Sequence, residues 1–169
     1  MNEKIAELLN RQINKEFYSA YLYLDISNYY DALDLNGYAN YYFVQAQEER
    51  DHALLFMKYM QSIGLKVTLE AIDKPDKVFD SVLAPLEVAA EHERYVSDLI
   101  NTIYHESHEV KDYRTLKFLD WFVNEQREEE DSADAMVNRY KLFGTDPRGL
   151  YLLDQEYAAR VYTAPSLVL

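Results

Sequence analysis

Residues 123–136, VNEQREEEDSADAM, crowd acids and a glutamine between a Trp-Phe-Val cluster and Met136. A second acid-bearing stretch, QEERDHA at 47–53, contains Glu49-x-x-His52. On a helix, positions i and i+3 stand side by side, so this pair offers a carboxylate oxygen and an imidazole nitrogen to one cation. Glu-x-x-His alone is a weak signal. Its meaning depends on whether other carboxylates reach the same height, and therefore on the elements that carry them.

The elements read as helices. Gly and Pro number only four each, which disfavours a turn-rich β fold. Four long helices are expected over about 2–30, 36–63, 81–105 and 112–143. Gly64 can end the second, and Pro85 falls in the tolerant first turn of the third. Asp146 as N-cap and Pro147 at the first helical position open a short fifth helix over 147–162, followed by a tail at 163–169. No repeat or linker divides the chain, so a single domain is expected. The first-to-second and third-to-fourth links are short and imply antiparallel neighbours. The link at 64–79 can reach roughly 50 Å, against about 42 Å for the second helix, so it can cross the bundle end to end. The expected fold class is all-α: a four-helix bundle with one long crossover between helices two and three, plus a short fifth helix. One such crossover characterises ferritin-like folds.

Each long helix carries an apolar seam with alternating three- and four-residue spacing. The seams run from Ala6 to Tyr30, Tyr38 to Ile63, Val82 to Ile103 and Leu119 to Phe143. Each is interrupted near its middle by glutamate: Glu16, Glu49, Glu93 and Glu129, with His52 and Gln126 beside them. Any one of these acids alone would read as part of a wet helix face. Four interruptions at one height read otherwise, because inward carboxylates repel and lose hydration unless positive charge sits among them. A pair of cations meets that need. On this reading Gln126 and Glu129 face inward, while Arg127, Glu130 and Asp131 face outward. Glu125 and Glu128, one turn apart on the flank, form with Glu48 a carboxylate patch beside the pair.

The net charge of −13 argues against nucleic acid or an anionic membrane as partner and permits a protein that attracts cations. There is no cysteine, which excludes disulfides and thiolate metal sites. The N-terminal stretch lacks a signal-peptide core and no long apolar run occurs, so a cytoplasmic location is expected. Sixteen Tyr against seven Phe suits wet or subunit-facing surfaces.

With these residues assembled, the sequence resembles bacterial non-haem ferritin over nearly its whole length. The stretches NKEFYSAYLYL, QEERDHA, EHE, FLDWFVNEQREEE and GLYLLDQE carry the resemblance. It implies a homo-oligomeric shell, a 24-mer, that oxidises Fe(II) with oxygen or peroxide and stores the mineral. It assigns Glu16, Glu49 and His52 to a first iron, and Glu49, Glu93 and Glu129 to a second, with Gln126 beside it. Glu48, Glu125, Glu128 and Glu129 match a third iron site. Tyr23, seven residues after Glu16, matches a tyrosine able to supply an electron during oxygen reduction; a core tyrosine with a satisfied hydroxyl is the competing reading. Bacterioferritin differs in having a second Glu-x-x-His, where this chain has Gln126-x-x-Glu129. Its haem-binding Met aligns with Arg50, so no haem is expected. The acids of animal threefold channels align with Leu116 and Leu119, so no iron route carries over.

Two rivals remain. A di-iron oxygenase or peroxide reductase would hold a permanent di-iron cofactor, but the second His and any rubredoxin-like Cys are missing. A metal-free signalling bundle gives no reason for mid-seam glutamates. Trp121 reads as packing, and His92, His105 and His108 as surface residues. Leu150, Leu152, Leu153, Tyr157 and Val161 make the fifth helix apolar enough to need partner subunits. The tail APSLVL has no reading at this level.

Overall fold

The structure, a computed structural model, describes residues 2–169. Five helices follow one another: α1 Glu3–Asp31, α2 Asn36–Ser62, α3 Leu83–Glu109, α4 Tyr113–Phe143 and α5 Pro147–Tyr157. The chain is all-α, as the seams imply. Contacts fix the directions. Along α1 and α2, Tyr30 meets Tyr38 while Tyr23 meets Tyr42, so the two are antiparallel. Along α1 and α3, Ser19 meets His92 while Tyr30 reaches Val82, again antiparallel. Helices α2 and α3 are therefore parallel, and residues 63–82 must cross the bundle. They do so along α1, where the amides of Asn10 and Asn14 bond the backbone at Thr68 and Ala71. These one-turn-spaced amides satisfy part of an extended backbone that has no strand partner.

Helix ends follow local chemistry. Asn2, Asp112 and Asp146 accept from backbone N–H groups of the first turns of α1, α4 and α5. Asp34, Gly64 and Lys111 take left-handed conformations (φ 59°, 75° and 58°) just past α1, α2 and α3, closing each with paired turn bonds. The N-terminus of α2 has no cap of its own. Buried Asp154 of α5 supplies one, accepting from the backbone N–H of Gly37 at 2.8 Å and Tyr38 at 3.0 Å. Gly37 is required there, since a Cβ would lie 1.6 Å from the Asp154 carbonyl oxygen.

Three expectations need correction. Helix α5 ends at Tyr157 rather than 162, because the Asn40 side chain bonds the carbonyls of Tyr157, Ala158 and Arg160 and turns the chain away. Helix α3 continues past residue 105 to Glu109. Phe143, assigned to a seam, is exposed at the end of α4.

The buried apolar residues form two clusters. One holds Tyr23, Tyr30, Tyr38, Tyr42, Leu86, Ala89 and Met136 near the α1–α2 turn. The other holds Ile5, Leu9, Ile13, Phe56, Val96, Ile100 and Phe122 toward the opposite end. A polar layer separates them.

If Asp154 caps α2, Asp154→Ala should lower stability by about 1–2 kcal/mol, whereas Asp154→Asn, which keeps an acceptor, should lose less. Calorimetric Tm values of the two variants test this, and equal losses would count against capping.

Candidate metal centre

The polar layer is built where the seams break. Glu16 sits between Ile13 and Tyr23, Glu49 between Ala46 and Ala53, Glu93 between Ala89 and Val96, and Gln126 and Glu129 between Phe122 and Ala133. Donor atoms of Glu16, Glu49 and His52 lie within 4.8 Å of one another, as do those of Glu49, Glu93 and Glu129. Glu49 belongs to both groups. A third group joins His52, Glu125 and Glu129.

Glutamines hold the carboxylates in place. Gln12 Nε2 donates to Glu16 Oε1 at 2.8 Å, and Gln45 Nε2 donates to Glu49 at 2.9 Å and Glu129 at 3.1 Å. Gln126 Nε2 donates to the Glu93 carbonyl and carboxylate, each at 3.2 Å, and to Ser97 Oγ. The Tyr23 hydroxyl donates to Glu93 Oε1. Each of the three amides fixes at least one carboxylate oxygen. Glu16 Oε2 and Glu129 Oε2 remain enclosed and without a partner. Buried acceptors of this kind suit a cation. The sequence reading assigned no role to Gln12, Gln45 or Ser97. The signal available was spacing, since Gln12 and Gln45 each stand four residues before a seam glutamate, where side chains meet.

Electrostatics divide the layer. Burial, then the charge of Glu49, raises Glu16 to about 8 and Glu93 to about 7, and both effects push Glu129 well above the carboxylate range. Burial also opposes ionisation of Glu49, but His52 beside it and the Gln45 amide outweigh this and hold it below the usual value. Burial likewise opposes a charged His52, yet the hydrogen bond and charge of Glu49 raise it to about 9. Without metal at neutral pH, the layer is thus an ionised Glu49–His52 pair beside protonated Glu16 and Glu129 and a half-titrated Glu93, with protons standing where cations could sit.

On the flank, Glu48, Glu125, Glu128 and Glu129 line a cavity of about 170 Å³ with Tyr23, Gln45 and Arg160. Glu125 is half-buried, and burial raises its carboxyl; Glu128 is exposed. Glu48 is paired with Arg160. Trp121 packs edge-on against His52 at 5.6 Å.

Two outward assignments change. His92 is buried rather than at the surface: the small side chain of Ser19 admits its ring, with Ser19 Oγ 2.7 Å from Nε2. Glu130 does not face solvent freely but is half-buried and accepts from Ser97 Oγ. Arg127, Asp131, His105 and His108 are exposed, as expected.

A crossover four-helix bundle with a carboxylate layer at mid-height defines a ferritin-like protein. The ferritin-like domain pattern matches residues 6–143, and the chain belongs to that family. It is 39% identical over 155 residues to the bacterial non-heme ferritin of Campylobacter jejuni, spanning 92% of this chain and 93% of that one. The open-pore ferritin of the hyperthermophilic archaeon Archaeoglobus fulgidus superposes with a TM-score of 0.93 at 42% identity, covering 95% of this chain and 98% of that one. A closed form of that ferritin, engineered by site-directed mutagenesis, gives 0.94 at 42% identity, covering 96% and 99%.

Two outcomes follow from the layer. Glu16, Glu93 and His52 have raised values when folded (about 8, 7 and 9 against 4.5, 4.5 and 6.5), so each favours folding most below its unfolded value and loses that contribution as pH rises through the folded one. The Tm of chelator-treated protein should therefore fall between about pH 5 and 9, and zinc(II) should abolish the fall while releasing on the order of four protons per pair of ions, from Glu16, Glu93, Glu129 and His52. A flat apo profile would contradict protonated carboxyls.

The second outcome concerns Glu130, which holds Ser97, which in turn receives the Gln126 amide. Glu130→Ala should weaken the second of two zinc equivalents by about tenfold and leave the first alone, with Glu130→Gln restoring most of the loss. Calorimetric titration reads both steps, and equal weakening of the two would rule out positioning through Ser97.

Proposed function

We propose that this chain is an iron-storage ferroxidase. The observation that carries the reading is Glu49, shared between two three-donor groups that each contain a buried carboxylate oxygen without a partner. Fe(II) is the substrate. Glu16, Glu49 and His52 take one ion; Glu49, Glu93 and Glu129 take the other, with Gln126 orienting Glu93. Both groups mix hard carboxylates with at most one imidazole, a donor set that suits iron in transit. Each Fe(II) gives up one electron. Dioxygen accepts two electrons and two protons and leaves as hydrogen peroxide, while peroxide as oxidant is reduced to water. Glu16 and Glu93 shed protons on metal binding and so place them near the reacting oxygen. Where a single Fe(II) is bound, Tyr23 supplies the second electron to the oxidant and passes its proton to Glu93, to which it donates.

Fe(III) then moves to the flank carboxylates Glu48, Glu125, Glu128 and Glu129 and on to mineral. The exposed apolar side chains Leu142, Phe143, Tyr151 and Leu152, clustered on the end of α4 and on α5, support assembly with further copies. Together with the ferritin relatives they favour a cage-like homo-oligomer, which we take to be a 24-mer. No described helix is long and apolar enough to cross a membrane, and we place the protein in the cytoplasm. Haem has no part in this reading.

Glu49→Ala should cut the rate of fast Fe(II) oxidation at least about a hundredfold while the assembly persists. Stopped-flow absorbance and size-exclusion mass test this together. A wild-type rate in an intact assembly would sink the shared-ligand assignment, and saturation of the native protein at two irons per chain would favour the oxygenase.

A further inference from the structure

After α5 the chain folds back over α2 and α4 instead of ending at the bundle tip. Asn40 holds the carbonyls where it turns. The Tyr162 hydroxyl then donates to Asp51, Trp121 Nε1 donates to Ser166 Oγ at 2.9 Å, and Leu167 packs on the cluster at the far end. Residues 158–169 thus form a strap that passes the carboxylate layer at mid-height. At that height lies Arg160. Its guanidinium donates to Glu48 Oε2 at 2.5 Å and to the Tyr41 carbonyl at 3.2 Å, and stands 4.1 Å over the Tyr41 ring. It lines the same cavity as Glu125, Glu128 and Glu129.

We infer that Arg160 is the resident cation of the flank carboxylate site, and that a metal ion must displace it, with the strap, to gain Glu48. This rests on the proposed function, since it concerns where an ion goes after the pair. Arg160 neutralises Glu48 by a charge-assisted bond before any metal arrives, and its own place is held by the cation–π contact with Tyr41. One guanidinium carries a single charge against four carboxylates, and a trivalent ion offers more. Metal and guanidinium cannot share Glu48, because both need its oxygens and they repel at contact distance. The strap is built to let go: side-chain bonds hold it, no backbone ladder joins it to α2, and its outer residues are exposed. Filling the flank site therefore opens the strap. It closes again when the ion passes on to mineral, which makes the site a relay and not a sink.

The chain has no cysteine, so Val168→Cys, at a position 90% exposed, gives a single attachment point for a nitroxide spin label on the strap. Assembled protein is titrated with terbium(III), a redox-inert trivalent ion, while calorimetry reads binding and electron paramagnetic resonance reads the label. In the otherwise native protein the label should become mobile with the third equivalent per chain and not with the first two. In Arg160→Ala the label should be mobile from the start and the third equivalent should bind about tenfold tighter, the first two unchanged. Tyr162→Phe, which loosens the strap without touching a carboxylate of the cavity, should give an intermediate gain, and keeps the test open should Arg160→Ala misassemble. Normal binding of the first two equivalents with an unchanged third and an unmoved label would overturn the strap alone. Loss of the first two from the native protein would overturn the pair and the strap together.

Discussion

Four carboxylates brought to one level of a helical core are the constraint on which the rest of this structure depends. An ionised carboxylate taken from water costs several kcal/mol, and neighbours of like charge add to it. The chain meets the cost in three ways. Glu16 and Glu129 keep their protons and Glu93 is held near half-protonation, His52 neutralises Glu49, and glutamine amides bind oxygens of the carboxylates. What remains unmet are the enclosed Oε2 atoms of Glu16 and Glu129. Under the proposed function the layer exchanges protons for metal ions with little rearrangement, a general property of preorganised sites.

The same layer explains why the core is two cores. A continuous seam would let one helix slide by a turn against another at modest loss. Here a slide one way would carry a glutamate into the Phe56–Phe122 cluster, where no donor awaits it, and a slide either way would part it from the glutamine amide that holds it. Buried polar groups can fix register in this way. The tyrosine side is tied to the layer as well, since the Tyr23 ring packs against Tyr42 while its hydroxyl bonds Glu93.

Much of this was legible because a heptad-like seam is a one-dimensional signal. Spacing alone places Glu16, Glu49, His52, Glu93 and Gln126 inside, and all five are buried. The length of the link between the second and third helices allows the crossover that the structure takes. What spacing does not carry is contact between distant segments. His92 lies one step off its seam, and only the small Ser19 opposite makes room for it. Glu130 sits in an unbroken acidic run, and only Ser97 from α3 draws it inward. Nothing in the spacing of α5 marks Asp154, which becomes a cap only because Gly37 approaches it at the start of α2. The end of α5 was misplaced for the same reason, because Asn40 that stops it is more than a hundred residues away in sequence.

Burial falls across the site from the first group to the flank. Glu16 and Glu49 are 1% exposed, Glu125 is half-buried and Glu128 is open to solvent. Under the proposed function this gradient gives direction to the chemistry. An Fe(II) ion entering the dry groups gives up its waters for carboxylate oxygens and one imidazole. Once oxidised it is a harder, more strongly hydrated ion, and the wetter, all-carboxylate flank suits it better. The second His of permanently loaded di-iron centres would oppose that movement by holding the metal at the dry end. Glu129 stands there instead, a ligand that faces both the second group and the third. Residence at the pair and release to the flank are therefore settled by the same carboxylate, and the ion moves outward because each step trades a drier site for a wetter one.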